Sequence, residues 1–170
     1  MNQAFPEGAA SPAEPTPVAT RATPADLPAI AALFDDYRAF YGMPHEPARA
    51  TRFLEQNLAS GRALLFACRS GDELAGFAQV YPTWCSLEMA PVFILHDVFT
   101  AAHRRARGVA TALLAAVTRE AVQHGAIRVD LMTATGNRTA QRLYESLGWV
   151  RESAFHAYSR PSEIPMEASA

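Results

Sequence analysis

The chain has 170 residues and a formal net charge of −2 at pH 7, with 49% hydrophobic and 19% charged residues. That length fits one globular domain with a substantial core. The charge gives no support for binding to nucleic acid or to an anionic membrane, since both favour a strongly basic face, and no apolar run of about 18 residues predicts a transmembrane helix.

Both ends of the chain are predicted to lie outside the folded domain. Residues 1–17 are rich in Ala, Pro, Glu and Ser, a composition typical of disorder, and residues 163–170 form a short C-terminal tail, which leaves 18–162 as the domain. No basic segment followed by an apolar core marks a secretory signal. Because the only cysteines are Cys68 and Cys85, we expect a reducing, cytoplasmic environment rather than a disulfide framework.

The first half of the domain predicts a strand, two helices and a hairpin. The strand spans Val18–Arg21, and the first helix starts after the cap residue Thr23 and ends near Tyr41. A second helix runs from about Pro47 to Ala59. The hairpin has its turn at Ser70-Gly71-Asp72, between the strands Ala63–Arg69 and Glu73–Thr83.

The second half predicts alternating strands and helices. A less regular stretch leads to the following elements: a buried strand at Val92–Thr100, a helix at about Gly108–His124, a strand at Ile127–Thr133, a helix at about Arg138–Leu147, and one or two strands within Trp149–Ser159. This order predicts an α/β fold with a central mixed sheet of about six to seven strands and helices on both faces.

A turn rich in Arg, Gly and Ala lies where the buried strand leads into the next helix. Arg105, Gly108 and Ala110 form the pattern Arg-x-x-Gly-x-Ala. Small residues at a helix N-terminus let phosphate approach the backbone N–H groups; a basic, solvated loop is the alternative interpretation. The turn lacks the Gly-Lys-Ser/Thr of a P-loop and the Gly-x-Gly-x-x-Gly of a dinucleotide fold, so nucleotide hydrolysis and hydride transfer are not expected.

A second motif follows one crossover later, in the segment from Asn137 to Trp149. Taken alone, Asn137 reads as a helix cap and Tyr144 as a core aromatic. Together with the buried strand and the arginine turn, however, the segment resembles the GNAT N-acetyltransferase superfamily in order and spacing. The resemblance covers about residues 18–160; Ala110, where many members have Gly, and Trp149, where Phe is usual, are its departures.

The resemblance implies acetyl-CoA as the cofactor and a sheet in which the buried strand splays from its parallel neighbour. The residues that it implies for cofactor binding are Val98, Phe99, Thr100, Arg105, Ala106, Arg107, Gly108, Val109, Ala110, Thr111, Asn137, Ala140 and Tyr144. The N–H of Val98 would polarise the thioester carbonyl, and the hydroxyl of Tyr144 would protonate the leaving thiolate. A primary amine attacks the thioester directly in this chemistry, so no covalent enzyme intermediate is required.

The general base stays open between several groups. Asp97 is placed with the catalytic residues, and three roles stay open for it: the base, a carboxylate that binds the ammonium group, or a structural hydrogen-bond acceptor. His96 and Asp97 are expected to point to opposite faces of their strand, so that only one of them faces the acceptor. Glu88 and a water chain are the other candidates, and the histidines show no metal-ligand spacing.

The acceptor is predicted to be a cationic amine held by aromatic and acidic side chains. Tyr37, Tyr41, Tyr81 and Glu88 are the candidate substrate-binding residues. The stretch 81–86, followed by 93–97, more weakly resembles the Hpa-type acetyltransferases. That resemblance implies a small amine or a basic protein tail as the acceptor, and a homodimer. A protein or peptide N-acetyltransferase and a catalytically weak acyl-CoA-binding module are the alternative functions.

Overall fold

The computed structural model describes residues 15–160, and the chain divides into two compact units, one up to Met132 and the other from Thr133. Of the predicted disordered segment 1–17, only 15–17 are described; here the Ser70 hydroxyl donates to the Pro15 carbonyl at 3.1 Å. The predicted tail 163–170 lies outside the described residues. No helix within 15–160 is long and apolar enough to cross a membrane.

The first unit contains a five-stranded sheet in the order β1-β2-β3-β4-β5. The strands are β1 (Val18–Arg21), β2 (Leu64–Ser70), β3 (Glu73–Cys85), β4 (Ala90–Thr100) and β5 (Val129–Leu131). The first four are antiparallel neighbours, whereas β4 and β5 are parallel. The sheet is therefore mixed, as the sequence predicts.

Three helices pack in the first unit: α1 (Leu27–Phe40), α2 (Pro47–Ala59) and α3 (Val109–Gln123). Ile30 and Phe34 of α1 and Leu54 of α2 are buried in one cluster with Phe77 of β3. Neighbouring residues on a strand point to opposite faces, and a Cβ on the preceding Gly76 would lie 2.7 Å from a Val109 methyl carbon of α3. The helices thus cover both faces of the sheet, which confirms that prediction.

The sheet has fewer strands than predicted. Among residues 149–160 no strand is present, and α4 (Arg138–Ser146) is the only regular element described in the second unit. A strand is stabilised by backbone hydrogen bonds to a neighbour, and the described part of the second unit contains no other strand. The prediction of strands within Trp149–Ser159 is therefore wrong.

The prediction of an irregular stretch after Thr83 is also wrong. Strands β3 and β4 stay paired to their ends, with Trp84 opposite Pro91 and Cys85 opposite Ala90, and residues 86–89 form the turn. Pro91 has no N–H to donate and interrupts the sequence pattern, but the cross-strand partners hold the ladder together.

Strand β4 contains one extra residue where it passes β3. Gln79 pairs with Asp97 and Val80 with Leu95, so His96 has no partner of its own and forms a β-bulge. The pairing of β4 with β5 covers Phe93–Leu95 and ends immediately before this bulge. The observed strand β5 spans only Val129–Leu131 and is therefore shorter than the predicted strand Ile127–Thr133.

Gly76 sets how closely α3 approaches the sheet. Its Cβ position would lie 2.6 Å from the Phe99 carbonyl oxygen as well as against Val109. We expect Gly76→Ala to lower the free energy of unfolding by about 1–3 kcal/mol, as overpacked core sites do. Gly136→Ala is the control because nothing lies within 4 Å of its Cβ position, and it should change stability by less than about 0.5 kcal/mol. Chemical denaturation measures both; equal stability of Gly76→Ala and the parent would contradict the packing account.

Candidate active site

A cavity of about 610 Å³ opens between the sheet and the helices α1 and α2. The sheet contributes four polar or aromatic side chains to its lining: Gln79, Tyr81, His96 and Asp97. The helical side is formed by Phe34, Tyr37, Arg38, Met43, Arg49, Ala50 and Phe53. A volume in this range suits a small molecule.

The bulge brings both His96 and Asp97 to the cavity, which corrects the expectation that they point to opposite faces. Strict alternation holds only for a strand without inserted residues. Asp97 lies opposite Gln79 and shares its face, while the extra residue His96 also lines the cavity. The imidazole ring of His96 lies edge-on to that of Tyr81, with ring centroids 5.0 Å apart.

The Asp97 carboxylate lies in a largely desolvated position. Burial raises its pKa above the ordinary value, while a hydrogen bond from Tyr37 and the electrostatic interaction with His96 act in the opposite direction. The side-chain amide of Gln79 also donates to Asp97 Oδ2 at 3.2 Å. This carboxylate therefore has a higher proton affinity than an exposed aspartate.

Two buried amides hold the Tyr81 hydroxyl. Gln79 Nε2 donates to Tyr81 Oη at 2.6 Å and Asn57 Nδ2 donates to it at 3.2 Å. Burial and the negative charge of Asp97 raise the pKa of Tyr81, although the Gln79 hydrogen bond opposes them. The phenol thus stays protonated at neutral pH and keeps its own proton for donation. Within residues 15–160, Oε1 of the buried Gln79 has no hydrogen-bond partner.

The helical side of the cavity carries an ionic network. Arg38 donates to Glu46 at 2.6 Å and to Asp35 at 3.4 Å, and Arg49 donates to both Glu46 oxygens at 3.2 Å. The Glu46 N–H donates to Asp35 at 2.9 Å, and His45 Nδ1 lies 2.7 Å from the same carboxylate. The Glu46 N–H and the His45 contact lower the pKa of Asp35, and the two arginines lower that of Glu46.

Beyond the bulge, the backbone of β4 has an open edge. The Ala101 N–H donates to the Ala75 carbonyl at 2.9 Å, toward β3. Because backbone groups of successive residues point to alternate sides of a strand, those of Val98 and Thr100 point away from β3. Within residues 15–132 no strand pairs with β4 there, although Arg105 Nε donates to the Thr100 carbonyl at 3.5 Å.

The turn before α3 adopts backbone angles that suit an anion. Ala106 and Gly108 have positive φ values of 59° and 80°, whereas Arg107 between them does not. When φ alternates in sign along the chain, the N–H groups of neighbouring residues point toward the same side. Gly108 is the N-cap of α3, so no side chain caps the first turn, and residues 105–108 are exposed.

Arg105 and Arg104 fix this turn to the rest of the first unit. The Arg105 guanidinium lies over the rings of Phe40 and Phe99, at 5.7 and 5.8 Å from their centroids. Arg104 Nε donates to Glu73 at 2.9 Å. Val109 of α3 is buried, Ala110 is half-buried and Thr111 is exposed.

The remaining residues predicted to bind the cofactor belong to the second unit, where they lie on the short helix α4 or cap it. The Asn137 side chain accepts a hydrogen bond from the Ala140 N–H at 3.2 Å, so Asn137 caps α4. Tyr144 is half-buried, and its ring centroid lies 6.2 Å from that of Trp149.

The structure brings only some of the predicted acceptor residues to the cavity. Tyr37 and Tyr81 line it. Tyr41 packs against Tyr37 but is exposed and outside the lining, and Glu88 lies in the turn between β3 and β4, paired with Arg128. Within residues 15–160 no group of three His, Cys, Asp or Glu side chains could hold a metal ion.

Sequence reasoning missed Gln79, Arg38 and Arg49 as parts of the cavity. Gln79 carried a usable signal, because it is a polar residue within an apolar strand pattern and buried amides need partners. The arginines gave none, since charged residues on a helix normally belong to its solvated face.

The comparisons with known proteins agree on one family. The sequence profile of the acetyltransferase (GNAT) family matches residues 30–149. The uncharacterized N-acetyltransferase YhfO of Bacillus subtilis (strain 168) is 36% identical over 138 residues, which cover 81% of this chain and 93% of YhfO. The crystal structure of a probable acetyltransferase has 34% identity and a TM-score of 0.80, covering 86% of this chain and 98% of its own.

A more distant structure shares the fold alone. An aminoglycoside acetyltransferase, meta-AAC0020, from an uncultured soil metagenomic sample was crystallised with sisomicin and has 16% identity and a TM-score of 0.69. It covers 86% of this chain and 97% of its own. The Hpa-type subgroup stays a prediction.

The raised pKa of Asp97 predicts a pH-dependent change in stability on substitution. The favourable contribution of Asp97 to the free energy of unfolding is complete below the unfolded-state pKa near 3.8. That contribution is lost as the pH rises through the folded-state pKa. Asp97→Asn should therefore gain stability relative to the parent between acidic and neutral pH, as measured by denaturation at several pH values. Asp36→Asn, at an exposed position outside the cavity, controls for the lost charge. A difference between Asp97→Asn and the parent that is constant with pH would contradict this.

Proposed function

The chain belongs to the GNAT family of acetyltransferases, and on that premise we propose that it transfers an acetyl group from acetyl-CoA to the primary amine of a small molecule. One observation carries the proposal. Asp97 lines the cavity, and the next residue, Val98, directs its backbone N–H to the open edge of β4. A carboxylate for the amine and a donor for the thioester thus stand on consecutive residues.

The residues of the first unit fit a phosphorylated cofactor. The turn from Arg105 to Thr111 combines exposed small residues, left-handed backbone angles at Ala106 and Gly108, and an α-helix N-terminus. Such N–H groups bind phosphate, and Arg105 and Arg107 add positive charge. The cofactor supplies the acetyl group as a thioester when bound.

The open edge of β4 supports the binding of an extended arm. Val98 and Thr100 offer backbone groups on that side, with Phe99 between them. In the proposal they pair with the pantetheine part, as a neighbouring strand would. Asn137, Ala140 and Tyr144 are assigned to the cofactor through the match of the second motif to the family.

The proposed proton transfers use groups of this chain. Asp97 accepts a proton from the ammonium group of the acceptor, a role that its raised pKa favours because a base works best near the operating pH. The Val98 N–H donates to the carbonyl oxygen as negative charge develops there. As the new carbon–nitrogen bond forms and the carbon–sulfur bond breaks, Tyr144 donates its hydroxyl proton to the leaving sulfur, and the second proton lost by the nitrogen restores the phenol.

The acceptor would occupy the cavity beside Asp97. Tyr37 and Tyr81 are its proposed binding residues from the predicted set, and the protonated Tyr81 hydroxyl offers a hydrogen bond. Tyr41 and Glu88 lie outside the lining and have no part in the proposal. The homodimer and the cytoplasmic location stay predictions.

Thiol release from acetyl-CoA with a panel of amines tests the function. The panel holds amino acids, polyamines, an aminoglycoside and peptides with free N-termini, and calorimetry measures acetyl-CoA binding. We expect a small amine to be acetylated and Tyr144→Phe to lower kcat by about 10²–10⁴-fold, the usual contribution of a general acid. Tyr158→Phe, at a fully exposed position of the same unit, is the matched control.

Three outcomes would contradict parts of the proposal. Full activity of Tyr144→Phe would remove the proposed acid. Transfer to peptides but not to small amines would indicate a protein or peptide N-acetyltransferase. Tight acetyl-CoA binding without thiol release for any amine would indicate a binding module.

A further inference from the structure

The lining of the cavity differs in charge from the sequence prediction. Aromatic and acidic residues were expected to hold a cationic amine, but Glu88 lies outside the lining. The charged side chains that face the cavity are Arg38, Arg49 and the Asp97 carboxylate. The lining thus contains two guanidinium groups and a single carboxylate. A polycationic acceptor would meet two guanidinium groups, which repel it.

We propose that the acceptor carries a carboxylate as well as its amine, so that Arg38 and Arg49 bind the carboxylate while Asp97 faces the amine. This inference rests on the proposed function. The expected substrates are small amino acids with an apolar body. Polyamines and the N-termini of proteins, whose first residue has no free carboxylate, are not expected to be acceptors.

The ionic network keeps the two guanidinium groups in place at the cavity. Glu46 accepts from both arginines, and Asp35 accepts from Arg38. Neither carboxylate belongs to the lining, whereas both arginines do. The lowered pKa values of Asp35 and Glu46 keep these anchors ionised over the neutral range.

Arginine is the side chain best suited to a carboxylate. Its planar guanidinium presents several N–H donors in a fixed fork that matches two carboxylate oxygens. The Arg38 side chain is 16% exposed and that of Arg49 is 52% exposed. Arg38 therefore offers the more desolvated donor, and Arg49 lies nearer the solvent, where an entering anion is met first.

Apart from the Tyr37 hydroxyl, the rest of the helical side is apolar. The rings of Phe34 and Phe53 are stacked, with centroids 5.5 Å apart and an angle of 8° between the planes. Met43 and Ala50 extend this surface. An amino acid with an aliphatic or aromatic side chain has the three groups that the cavity would bind: a cation for Asp97, an anion for the arginines and an apolar body for the rings.

Matched acceptors test the inference. L-Leucine, L-methionine and L-phenylalanine are each compared with their amides and with the amines that lack the carboxyl group, and spermidine represents a polycation. Thiol release gives kcat and KM. Because a hydrogen bond to a charged group contributes about 1.5–3 kcal/mol, we expect at least one free acid to exceed its amide by roughly tenfold or more in kcat/KM.

The substitution Arg49→Gln should reduce the preference for the free acid, since Arg38 remains. We expect a higher KM for the free acid, with little change in kcat, and a clearly smaller effect on the decarboxylated amine. Arg49→Lys keeps the charge without the fork and should restore part of the difference. Arg52→Gln, on the exposed face of the same helix and outside the lining, is the matched control, and circular dichroism verifies that each variant is folded.

The outcomes separate this inference from the function on which it rests. Equal kcat/KM for acid, amide and amine, a preference for spermidine, or an equal loss for all acceptors in Arg49→Gln would overturn the carboxylate inference and leave an acetyltransferase. No transfer to any acceptor would overturn both.

Discussion

The β-bulge at His96 is the constraint on which the rest of the site depends. An inserted residue bends a strand and disturbs its ladder on both sides. Here one insertion has two consequences: His96 and Asp97 both reach the cavity, and the parallel pairing with β5 ends at Leu95. Within residues 15–132, the backbone groups that follow are thereby left on an open edge of β4, immediately beside the half-buried Asp97 carboxylate.

The two faces of the sheet contribute different parts of this site. On one face, α1 and α2 enclose the cavity with aromatic rings and the arginine network. On the other, α3 packs closely because Gly76 has no side chain, which places the turn before α3 at the end of β4. The acceptor cavity and the turn proposed for phosphate are therefore both tied to β4, at Asp97 and just beyond Thr100.

Local signals predicted much of this fold. Val18–Arg21 and Pro47–Ala59 are observed with the expected bounds, because alternation and helical spacing follow directly from burial on one face. Gly108 adopts a positive φ, as its place in the turn suggested. The prediction of strands after Trp149 is wrong, because an alternating pattern cannot show whether a partner strand is present.

The site was less predictable because its geometry arises from pairing between strands. The position of a bulge depends on the register of β3 against β4, which no local pattern in β4 reveals. Strict alternation along β4 therefore predicts opposite faces for His96 and Asp97. Arg38 and Arg49 carry no local signal of a site, because charged residues on a helix normally belong to its solvated face, and only the packing of α1 and α2 places them at the cavity. Glu88, close in sequence to the core strand, lies instead in the turn between β3 and β4, outside the cavity lining.

Amide hydrogen exchange on β4 tests most directly whether the bulge opens an edge for the cofactor. The Ala101 N–H is bonded to β3, whereas those of Val98 and Thr100 point to the open side. Without ligand, the amides of Val98 and Thr100 should exchange faster than that of Ala101, and saturating acetyl-CoA should slow both. Protection of Val98 in the free protein, or unchanged exchange with acetyl-CoA bound, would contradict this account.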